Sequence, residues 1–286
     1  MKILILGGDG MLGRHFFNYF QAQHEVRVTL RQELTISNAG GLFDKNNAYD
    51  KTDVRDKKRL DEIFNDFNPQ VVINAAGIVK QSEKIKDIAL TLEVNAVFPH
   101  HLAILCKMVG ARLIHLSTDC VFSGKKGNYI ESDQPDAEDL YGRSKFLGEV
   151  SGEECLTLRK SVIGRELFGK LGLLEWFLNQ KDKVKGFTKA IYSGFTTREI
   201  SRIIERIVTD YPTASGLYHV SSDPISKYDL LALIKKYFGL TVEVLQDENF
   251  VCDRSLNSDK FRKEFNYHPP TWEEMIKELA EEYKKL

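Results

Sequence analysis

The chain has 286 residues, of which 42% are hydrophobic and 28% are charged, and its formal net charge at pH 7 is −1. A chain of this length can bury a large core, and this composition is typical of a globular protein. Because lysine and arginine are scattered and balanced by acids, the charge indicates neither nucleic acid nor a membrane surface as a partner.

The apolar run at the start of the chain ends at the glycines of "MKILILGGDG" and is too short for a signal sequence or a spanning helix. The four cysteines lie far apart without a CxxC pair, and the histidines form no HxxxH or HExxH pattern. Such spacing favours reduced thiols over disulfides and gives no metal site. We therefore expect a cytoplasmic protein without a bound metal.

Apolar runs alternate with helical periods through the first half of the chain. The predicted strands are residues 2–6, 25–30, 48–52, 70–77 and 111–119, and the predicted helices are 11–23, 53–67 and 85–108. Residues 31–47 are polar and predict an irregular connection. This rhythm predicts an α/β fold, a Rossmann-type doubly wound parallel sheet whose ligands lie beyond the carboxyl ends of the strands.

After residue 150 the alternation loosens. The predicted strands here are 154–161, 216–221 and 241–246, and the predicted helices are 173–182, 196–211, 226–239 and 271–286. We expect residues 1–160, completed by about 190–212, to form the Rossmann domain. Residues 161–189 and 213–286 are expected to form a smaller C-terminal α/β lobe that binds substrate. Trp176 and Trp272 lie on apolar helical faces and are predicted to pack in the core.

A glycine-rich turn, "LGGDGMLG", joins the first predicted strand to the first helix and places Gly7, Gly10 and Gly13 in a GxxGxxG pattern. Glycines at this spacing allow a tight turn and a close approach of the backbone to a pyrophosphate. The helix that follows offers the amides of Met11 and Leu12 and the positive end of its dipole. At the first strand–turn–helix of a chain, this pattern indicates a dinucleotide cofactor.

The end of the second strand indicates which dinucleotide binds. In "VTLRQE" no acidic residue stands where one would bind the adenosine ribose 2′-hydroxyl, and Arg31 stands there instead. Because a guanidinium can pair with a 2′-phosphate, the sequence predicts NADPH, with NADH kept as an alternative.

Polar and small residues follow the next three strands, where the carboxyl ends of a parallel sheet meet. They are Asp53 and Val54, then Asn74, Ala75, Ala76 and Gly77, then Ser117, Thr118 and Asp119. Asp53 could accept a hydrogen bond from the adenine amino group, and small residues at 75–77 would let the backbone lie along the dinucleotide. The Thr118 hydroxyl would reach toward the reacting carbon. Together these residues predict one groove.

The stretch "DLYGRSKFLGE", residues 139–149, places Tyr141 and Lys145 four positions apart at the start of a predicted helix. This spacing makes the two side chains neighbours on one helical face. A nearby ammonium stabilises a phenolate and lowers the pKa of a tyrosine from its usual value of about 10. The pair could therefore transfer a proton.

The glycine turn, "NAAG" (74–77), "STDCVFSG" (117–124) and "PDAEDLYGRSK" (135–145), in this order, resemble the extended short-chain dehydrogenase/reductase family. The stretch "GLYHVSSDPISKYDLLALI" (216–234) also resembles the substrate lobe of its dTDP-4-dehydrorhamnose reductase branch. The resemblance covers essentially the whole chain and is densest in residues 1–150.

This resemblance implies roles for the predicted site residues. Tyr141 would be the catalytic acid, Lys145 its partner and a ligand of the nicotinamide ribose, and Thr118 the hydroxyl that holds the substrate carbonyl. The Tyr141 and Thr118 hydroxyls would both donate to the carbonyl oxygen, which gains negative charge during the reaction, and this would favour reduction. Asp119 and Cys120 would contact substrate, and Arg254 in "CDRSLNSDKF" would face its diphosphate.

Cys120 departs from the branch, whose members usually carry tyrosine there. The similar GDP-fucose synthases use a cysteine with a histidine to epimerise, but the corresponding segment "VIGRELFG" (162–169) contains no histidine. Cys120 is therefore expected to line the pocket. Sugar-nucleotide dehydratases have Asp-Glu after the threonine, whereas here Asp119 is followed by cysteine. The sequence therefore disfavours a dehydratase.

The leading hypothesis is thus an NADPH-dependent reductase of a nucleotide-linked 4-keto-6-deoxy sugar, acting in surface polysaccharide precursor synthesis. An epimerase or epimerase-reductase using Cys120 is the first alternative. The second is a non-catalytic NADP-binding regulatory subunit, because the regulatory subunit of methionine adenosyltransferase resembles this branch. The nucleotide, the sugar and the stereochemistry stay open, as does a homodimer.

Overall fold

The computed structural model describes residues 1–37, 41–166 and 172–284. The strands within these ranges are β1 (Lys2–Leu6), β2 (Glu25–Thr29), β3 (Ala48–Tyr49), β4 (Val71–Asn74), β5 (Arg112–Leu116), β6 (Cys155–Arg159), β7 (Val162–Ile163), β8 (Lys183–Phe187), β9 (Ala190–Tyr192), β10 (Phe195–Thr196), β11 (Gly216–His219), β12 (Ile225–Ser226), β13 (Glu243–Asp247) and β14 (Cys252–Asp253).

The α-helices of the same ranges are α1 (Met11–Phe20), α2 (Leu34–Ser37), α3 (Lys57–Phe67), α4 (Ile88–Leu92), α5 (Phe98–Val109), α6 (Leu140–Leu147), α7 (Leu173–Leu178), α8 (Thr197–Asp210), α9 (Lys227–Phe238), α10 (Asp259–Glu264) and α11 (Trp272–Lys284). A π-helical turn, Glu93–Val97, joins α4 to α5, and 3-10 turns cover Glu83–Lys86 and Asp119–Val121.

Seven strands form the main sheet in the order β11-β6-β5-β4-β1-β2-β3. Each neighbouring pair from β6 to β3 is parallel. The chain runs outward from β1 through β2 to β3, returns to β4, and then runs the other way through β5 to β6. Because such crossovers are right-handed, the helices of the two halves cover opposite faces. The predicted Rossmann-type doubly wound parallel sheet is confirmed.

One large core cluster lies under α3 and α5. It consists of apolar side chains of these helices, of β1, β4 and β5, and of neighbouring segments: Leu4, Leu6, Leu60, Ile63, Phe64, Phe67, Val72, Phe98, Leu102, Cys106, Ala111, Leu113, Val150 and Cys155. At about 25 cal/mol for each Å² of apolar surface removed from water, burial on this scale is the main force that holds the helices to the sheet.

Residues Ile88–Val109 combine α4, the π-helical turn and α5 into a stretch long and apolar enough to cross a membrane. The core helix of a water-soluble protein can have the same length and composition, and Phe98, Leu102 and Cys106 pack in the core cluster. The stretch is therefore weak support for a membrane span, and the absence of a membrane partner stays a prediction.

The three smaller sheets have the strand orders β10-β7, β12-β9-β14 and β13-β8. Strand β13 pairs with β8 in parallel, whereas β12 pairs with β9 in the antiparallel sense. Helix α9 packs against β8, β13 and α11. These elements supply the smaller α/β part that was predicted for the C-terminal region.

Contacts divide the chain into two compact units. The first consists of Met1–Ser117, Asp139–Leu158 and Ser201–Leu217, and the second of Thr118–Glu138, Arg159–Ile200 and Tyr218–Leu286. Residues 118–138, which the sequence prediction kept with the Rossmann domain, belong to the second unit. The reason is backbone pairing: the Tyr129 N–H donates to the Ser255 carbonyl at 2.9 Å, and the Asn257 N–H donates to the Tyr129 carbonyl at 2.7 Å.

The sequence pattern predicted the long helices and strands more accurately than the short ones. The predicted helix 85–108 is interrupted by the π-helical turn. Strands β7, β8, β9, β10, β12 and β14 and the short helices α2 and α10 were not predicted. Trp272 is buried as predicted, but the prediction for Trp176 is wrong, because 40% of that residue is exposed. Parts of the predicted connection 31–47 and of the predicted helix 271–286 lie outside the described residues.

Candidate functional site

The turn after β1 has the form expected for a pyrophosphate cradle. Gly7 has φ = +90°, a conformation that residues with side chains rarely adopt, and its carbonyl accepts the Gly10 N–H at 3.1 Å. A Cβ on Gly13 would lie 2.2 Å from the Gly7 carbonyl oxygen, so only glycine lets α1 start this close to the turn. No side chain caps α1 and no acid lies in its first turn. The amides of Met11 and Leu12 therefore suit an anionic ligand.

The turn after β4 packs against the glycine turn. A Cβ on Gly7 would lie 2.9 Å from the backbone of Ala76, and the Ala75 N–H donates to the Leu6 carbonyl at 3.0 Å. Gly77 continues this turn and faces the Asn95 side chain. Strands β1 and β4 are neighbours at the point where the strand order reverses, which is where open α/β sheets bind ligands. The structure thus brings the predicted cofactor residues of these two turns together.

The residues at the ends of β2 and β3 form a charged group in the same unit. Arg31 is exposed, and its charge helps to lower the pKa of Asp53, although hydrogen bonds from Arg55 are the main cause. Arg55 reaches the Asp53 carboxylate through Nη2 at 2.7 Å and also bonds Glu93 at 3.0 Å. Asp53 therefore keeps its charge, and a guanidinium already holds it. Val54 is half-buried against the core cluster.

Helix α6 carries Tyr141 and Lys145. Asp139 caps the helix by accepting the Gly142 N–H at 2.9 Å and pairs with Lys80 at 2.8 Å. The Lys145 side chain is 6% exposed, and its Nζ donates to the Leu116 carbonyl at 2.8 Å. Since Leu116 ends β5, the lysine is fixed at the carboxyl edge of the sheet.

Asn95 lies in the π-helical turn, and the sequence alone indicated no role for this residue. Its Oδ1 accepts the Ile78 N–H at 2.8 Å, and its Nδ2 donates to the Ile78 carbonyl at 2.9 Å and to Ser144 Oγ at 3.2 Å. Ser144 in turn donates to the Tyr141 carbonyl at 2.9 Å. Asn95 therefore links the turn after β4 to α6 and positions that helix. An asparagine inside an apolar helical pattern was the available signal.

Thr118, Asp119 and Cys120 begin the second unit, directly after Ser117 in the chain. The Thr118 hydroxyl accepts the Cys120 N–H at 3.1 Å and donates to Asp119 Oδ1 at 3.1 Å, which starts the 3-10 turn Asp119–Val121. Asp119 and Thr118 are buried, whereas Cys120 is half-buried. Tyr141 and Lys145 belong to the first unit, so the three predicted catalytic residues are divided between the units.

A second set of charges surrounds Asp119. Burial raises the pKa of its carboxyl, and the charges of Arg254 and Lys160 oppose that rise. Arg254 is held through Nε by the Phe122 carbonyl at 2.8 Å. The structure thus brings together Asp119, Cys120 and Arg254, the three residues predicted to contact substrate.

Lys160 is a member of this set that sequence reasoning missed. The Asp119 N–H donates to the Lys160 carbonyl at 3.2 Å, which aligns the end of β6 with the turn after β5. Burial lowers the pKa of the Lys160 amine to about 8, while the charges of Asp119 and Cys120 act in the opposite direction. A lysine with this pKa can exchange a proton near neutral pH. Residues 167–169 of the segment "VIGRELFG" lie outside the described residues.

The buried side chain of His219 supports the segment that follows the 3-10 turn Asp119–Val121. His219 is fully buried, and its Nδ1 donates to the Tyr129 carbonyl at 2.9 Å while its Nε2 accepts from Arg159 Nη1 at 3.2 Å. The rings of Phe122 and Tyr129 stack at 4.1 Å beside it. Burial, followed by the Arg159 charge, lowers the pKa of His219 to about 4.

We expect the free energy of unfolding to fall as the pH drops from 6.5 toward 4. The unfolded chain binds a proton at His219 in this range and the folded chain does not, so protonation favours unfolding by up to roughly 3 kcal/mol. Urea unfolding across this range measures it. The loss should be smaller in His219→Gln than in the wild type, and His268→Gln, at an exposed histidine, should keep the wild-type slope. Equal slopes in all three proteins would contradict this account.

Comparison with known proteins identifies the family. A sequence model of the RmlD substrate binding domain family matches residues 1–285. The chain belongs to this family. It therefore lies in the RmlD-like branch of the extended short-chain dehydrogenases/reductases, as its motifs predicted, and it is an oxidoreductase of that type.

Three relatives match most of the chain. The spore coat polysaccharide biosynthesis protein SpsK of Bacillus subtilis is 25% identical, with 98% of this chain and 97% of that protein covered. The dTDP-4-dehydrorhamnose reductase of Aggregatibacter actinomycetemcomitans is 26% identical, with 97% and 98% covered. Methionine adenosyltransferase 2 subunit beta of Rattus norvegicus is 30% identical, with 84% and 72% covered.

Solved structures share the fold. A hypothetical dTDP-4-dehydrorhamnose reductase of Sulfolobus tokodaii has a TM-score of 0.76 and 27% identity, covering 92% of this chain and 94% of its own. The Bacillus anthracis dTDP-4-dehydrorhamnose reductase, solved with NADP, has a TM-score of 0.80 and 20% identity, covering 98% and 99%. WbmG of Bordetella bronchiseptica, solved with NAD, has a TM-score of 0.80 and 20% identity, covering 100% and 94%.

Proposed function

We propose that this chain is an NADPH-dependent reductase of a nucleotide-linked 4-keto-6-deoxy sugar, acting in the cytoplasm in surface polysaccharide precursor synthesis. The observation that carries the proposal is the anchoring of α6. Lys145, one turn from Tyr141, is buried and bound at 2.8 Å to the carbonyl of Leu116, two residues before Thr118. This anchoring supports a functional role for Lys145, because an ordinary surface lysine keeps its ammonium in water.

The first unit supports the cofactor part of the proposal. The glycine turn, the uncapped start of α1 and the small residues at 75–77 fit a dinucleotide pyrophosphate. Arg31 stands at the end of β2 and suits a 2′-phosphate, and a relative of this fold was solved with NADP. When bound, a reduced nicotinamide supplies the hydride that converts the ketone to an alcohol.

Tyr141 would deliver the proton that completes this reduction. As the carbonyl oxygen gains negative charge, the Tyr141 hydroxyl donates its proton to that oxygen and becomes a phenolate. Lys145 lies one helical turn away, and its positive charge favours the phenolate. The Thr118 hydroxyl, which donates to Asp119 Oδ1 in this structure, would have to turn its single proton to the same oxygen to act as a second donor there. One hydride and one proton together account for the alcohol.

The second unit supports the substrate part of the proposal. Arg254 carries a guanidinium that its Nε bond to the Phe122 carbonyl holds in place, and a guanidinium suits a diphosphate. Asp119, Cys120 and Lys160 supply polar groups of different kinds near it. Such a set fits the hydroxyls of a sugar better than an apolar ligand.

The proposal is tested with purified protein, NADPH and a panel of nucleotide-linked 4-keto-6-deoxy sugars that vary in base and sugar. We expect oxidation of NADPH with at least one member. Tight cofactor binding without oxidation by any member would refute the reductase. Capture of a protein partner by such an inactive protein would favour a regulatory subunit, like the methionine adenosyltransferase relative.

A second candidate function, an epimerase or epimerase-reductase, is favoured by one observation. The segment expected to supply a histidine contains none, but the Lys160 amine lies near Cys120 and could take that role. A thiol and an amine could remove and return the proton on the carbon beside the ketone. The test is wash-in of solvent deuterium at that carbon. A product without deuterium there would exclude the epimerase.

A further inference from the structure

The end of β2 is where Rossmann proteins usually read the adenosine ribose with a carboxylate. The acidic residue next along this chain is Glu33, but its carboxylate pairs with Lys51 at 2.6 Å on the surface. Of the two charged side chains that directly follow β2, Arg31 is therefore the one that could face the ribose.

A carboxylate reaches this place from the glycine turn. Asp9, half-buried between Gly8 and Gly10, accepts the backbone N–H of Arg31 through one oxygen and the hydroxyl of Ser37 through the other. Its carboxylate is thus fixed at Arg31, the second residue after β2, although the two residues are 22 positions apart in sequence.

A buried guanidinium, that of Arg14, interacts with this carboxylate on the protein side. Arg14 of α1 donates through Nη1 to the Ser37 carbonyl at 2.9 Å and stacks on the ring of Phe43. The charge of Asp9 raises the pKa of Arg14, although burial lowers it more. Because Arg14 is buried, it fixes Ser37, which bonds Asp9, without presenting its own charge to a ligand in water.

We propose that Asp9 is a specificity-determining residue that reads the adenosine ribose and opposes Arg31 in the choice between NADPH and NADH. An ionised carboxylate accepts a hydrogen bond from a free 2′-hydroxyl and repels a 2′-phosphate. Arg31 attracts the same phosphate. The two side chains together give an enzyme that accepts both cofactors, with a preference for NADPH that is weaker than Arg31 alone would produce. The inference rests on the proposed function only for its use of a nicotinamide dinucleotide.

The test measures Kd values of NADP⁺ and NAD⁺ on the purified protein by calorimetry, without any sugar substrate. Asp9→Asn keeps the shape and one acceptor oxygen but removes the charge. We expect the Kd for NAD⁺ to rise and that for NADP⁺ to fall, so that the ratio shifts toward NADP⁺ by about tenfold or more. Arg31→Gln should shift the ratio in the opposite direction.

Glu33→Gln is the matched control, since it removes the same charge nearby from a carboxylate that Lys51 already holds. It should leave the ratio within about threefold of the wild type. If Asp9→Asn does not fold, Asp9→Ser removes the charge with a smaller side chain and carries the same expectation.

An unchanged ratio in the Asp9 variant, or equal weakening of both cofactors, would overturn the inference. Failure of the proposed reductase looks different, because the wild type would then bind the cofactors with the expected ratio but reduce no sugar. A wild-type protein that binds neither dinucleotide would overturn both.

Discussion

Replacement of Tyr141 by phenylalanine should lower kcat for the sugar ketone about 1,000-fold, because proton donation contributes between about 100-fold and 10,000-fold in enzymes of known mechanism. The phenyl ring fills the same space, and Lys145 keeps its bond to the Leu116 carbonyl. The Kd for NADP⁺ should therefore change by less than about threefold. Steady-state kinetics and calorimetry of the purified variant measure the two quantities.

The matched control is Tyr237→Phe, which removes a hydroxyl that bonds Glu273 on the surface. It should keep wild-type kcat. A Tyr141→Phe variant with wild-type kcat would show that another group supplies the proton. Parallel loss of cofactor affinity would show that Tyr141 supports the fold of α6.

Replacement of Gly13 by alanine should disrupt the cofactor turn. The added Cβ would lie 2.2 Å from the Gly7 carbonyl oxygen and 2.7 Å from its carbon, so α1 must move away from the turn. Overpacking of this kind costs about 1–3 kcal/mol or more. We expect the free energy of unfolding to fall by about 3 kcal/mol and the Kd for NADP⁺ to rise at least tenfold. Urea unfolding and calorimetry measure both.

Gly110→Ala separates this clash from a general effect of replacing glycine. Gly110 has φ = +68°, and no atom lies within 4 Å of its added Cβ. Its replacement should cost only about 1 kcal/mol of backbone strain and leave the Kd unchanged. Equal effects of the two substitutions would contradict the role given to Gly13.

Much of the fold could be predicted because local pattern and global structure agree. The alternation of apolar runs with helical periods predicted the central parallel sheet, and the glycine turn between β1 and α1 marked the cofactor end of that sheet. The helix that carries Tyr141 and Lys145 begins at its predicted place because Asp139 caps it. These features depend on residues that are close in sequence.

The features of the fold and the site that the sequence did not predict depend on contacts between distant parts of the chain. Asp9 meets Arg31 across 22 positions, and Asn95 meets Ser144 across 49. The lowered pKa of Lys160 arises from burial, which outweighs the opposite effect of Asp119, and no spacing rule predicts that burial. Short strands such as β12 and β14 exist because β9 lies between them, so their own residues carry little signal.

The central claim is that a hydride passes from the reduced nicotinamide cofactor to the ketone carbon of a nucleotide-linked sugar. The direct test uses cofactor that carries deuterium at the transferable position and follows the label in the sugar product by mass spectrometry and NMR. We predict one deuterium on the carbon that was the ketone. A product with no deuterium from the cofactor at that carbon would contradict the account.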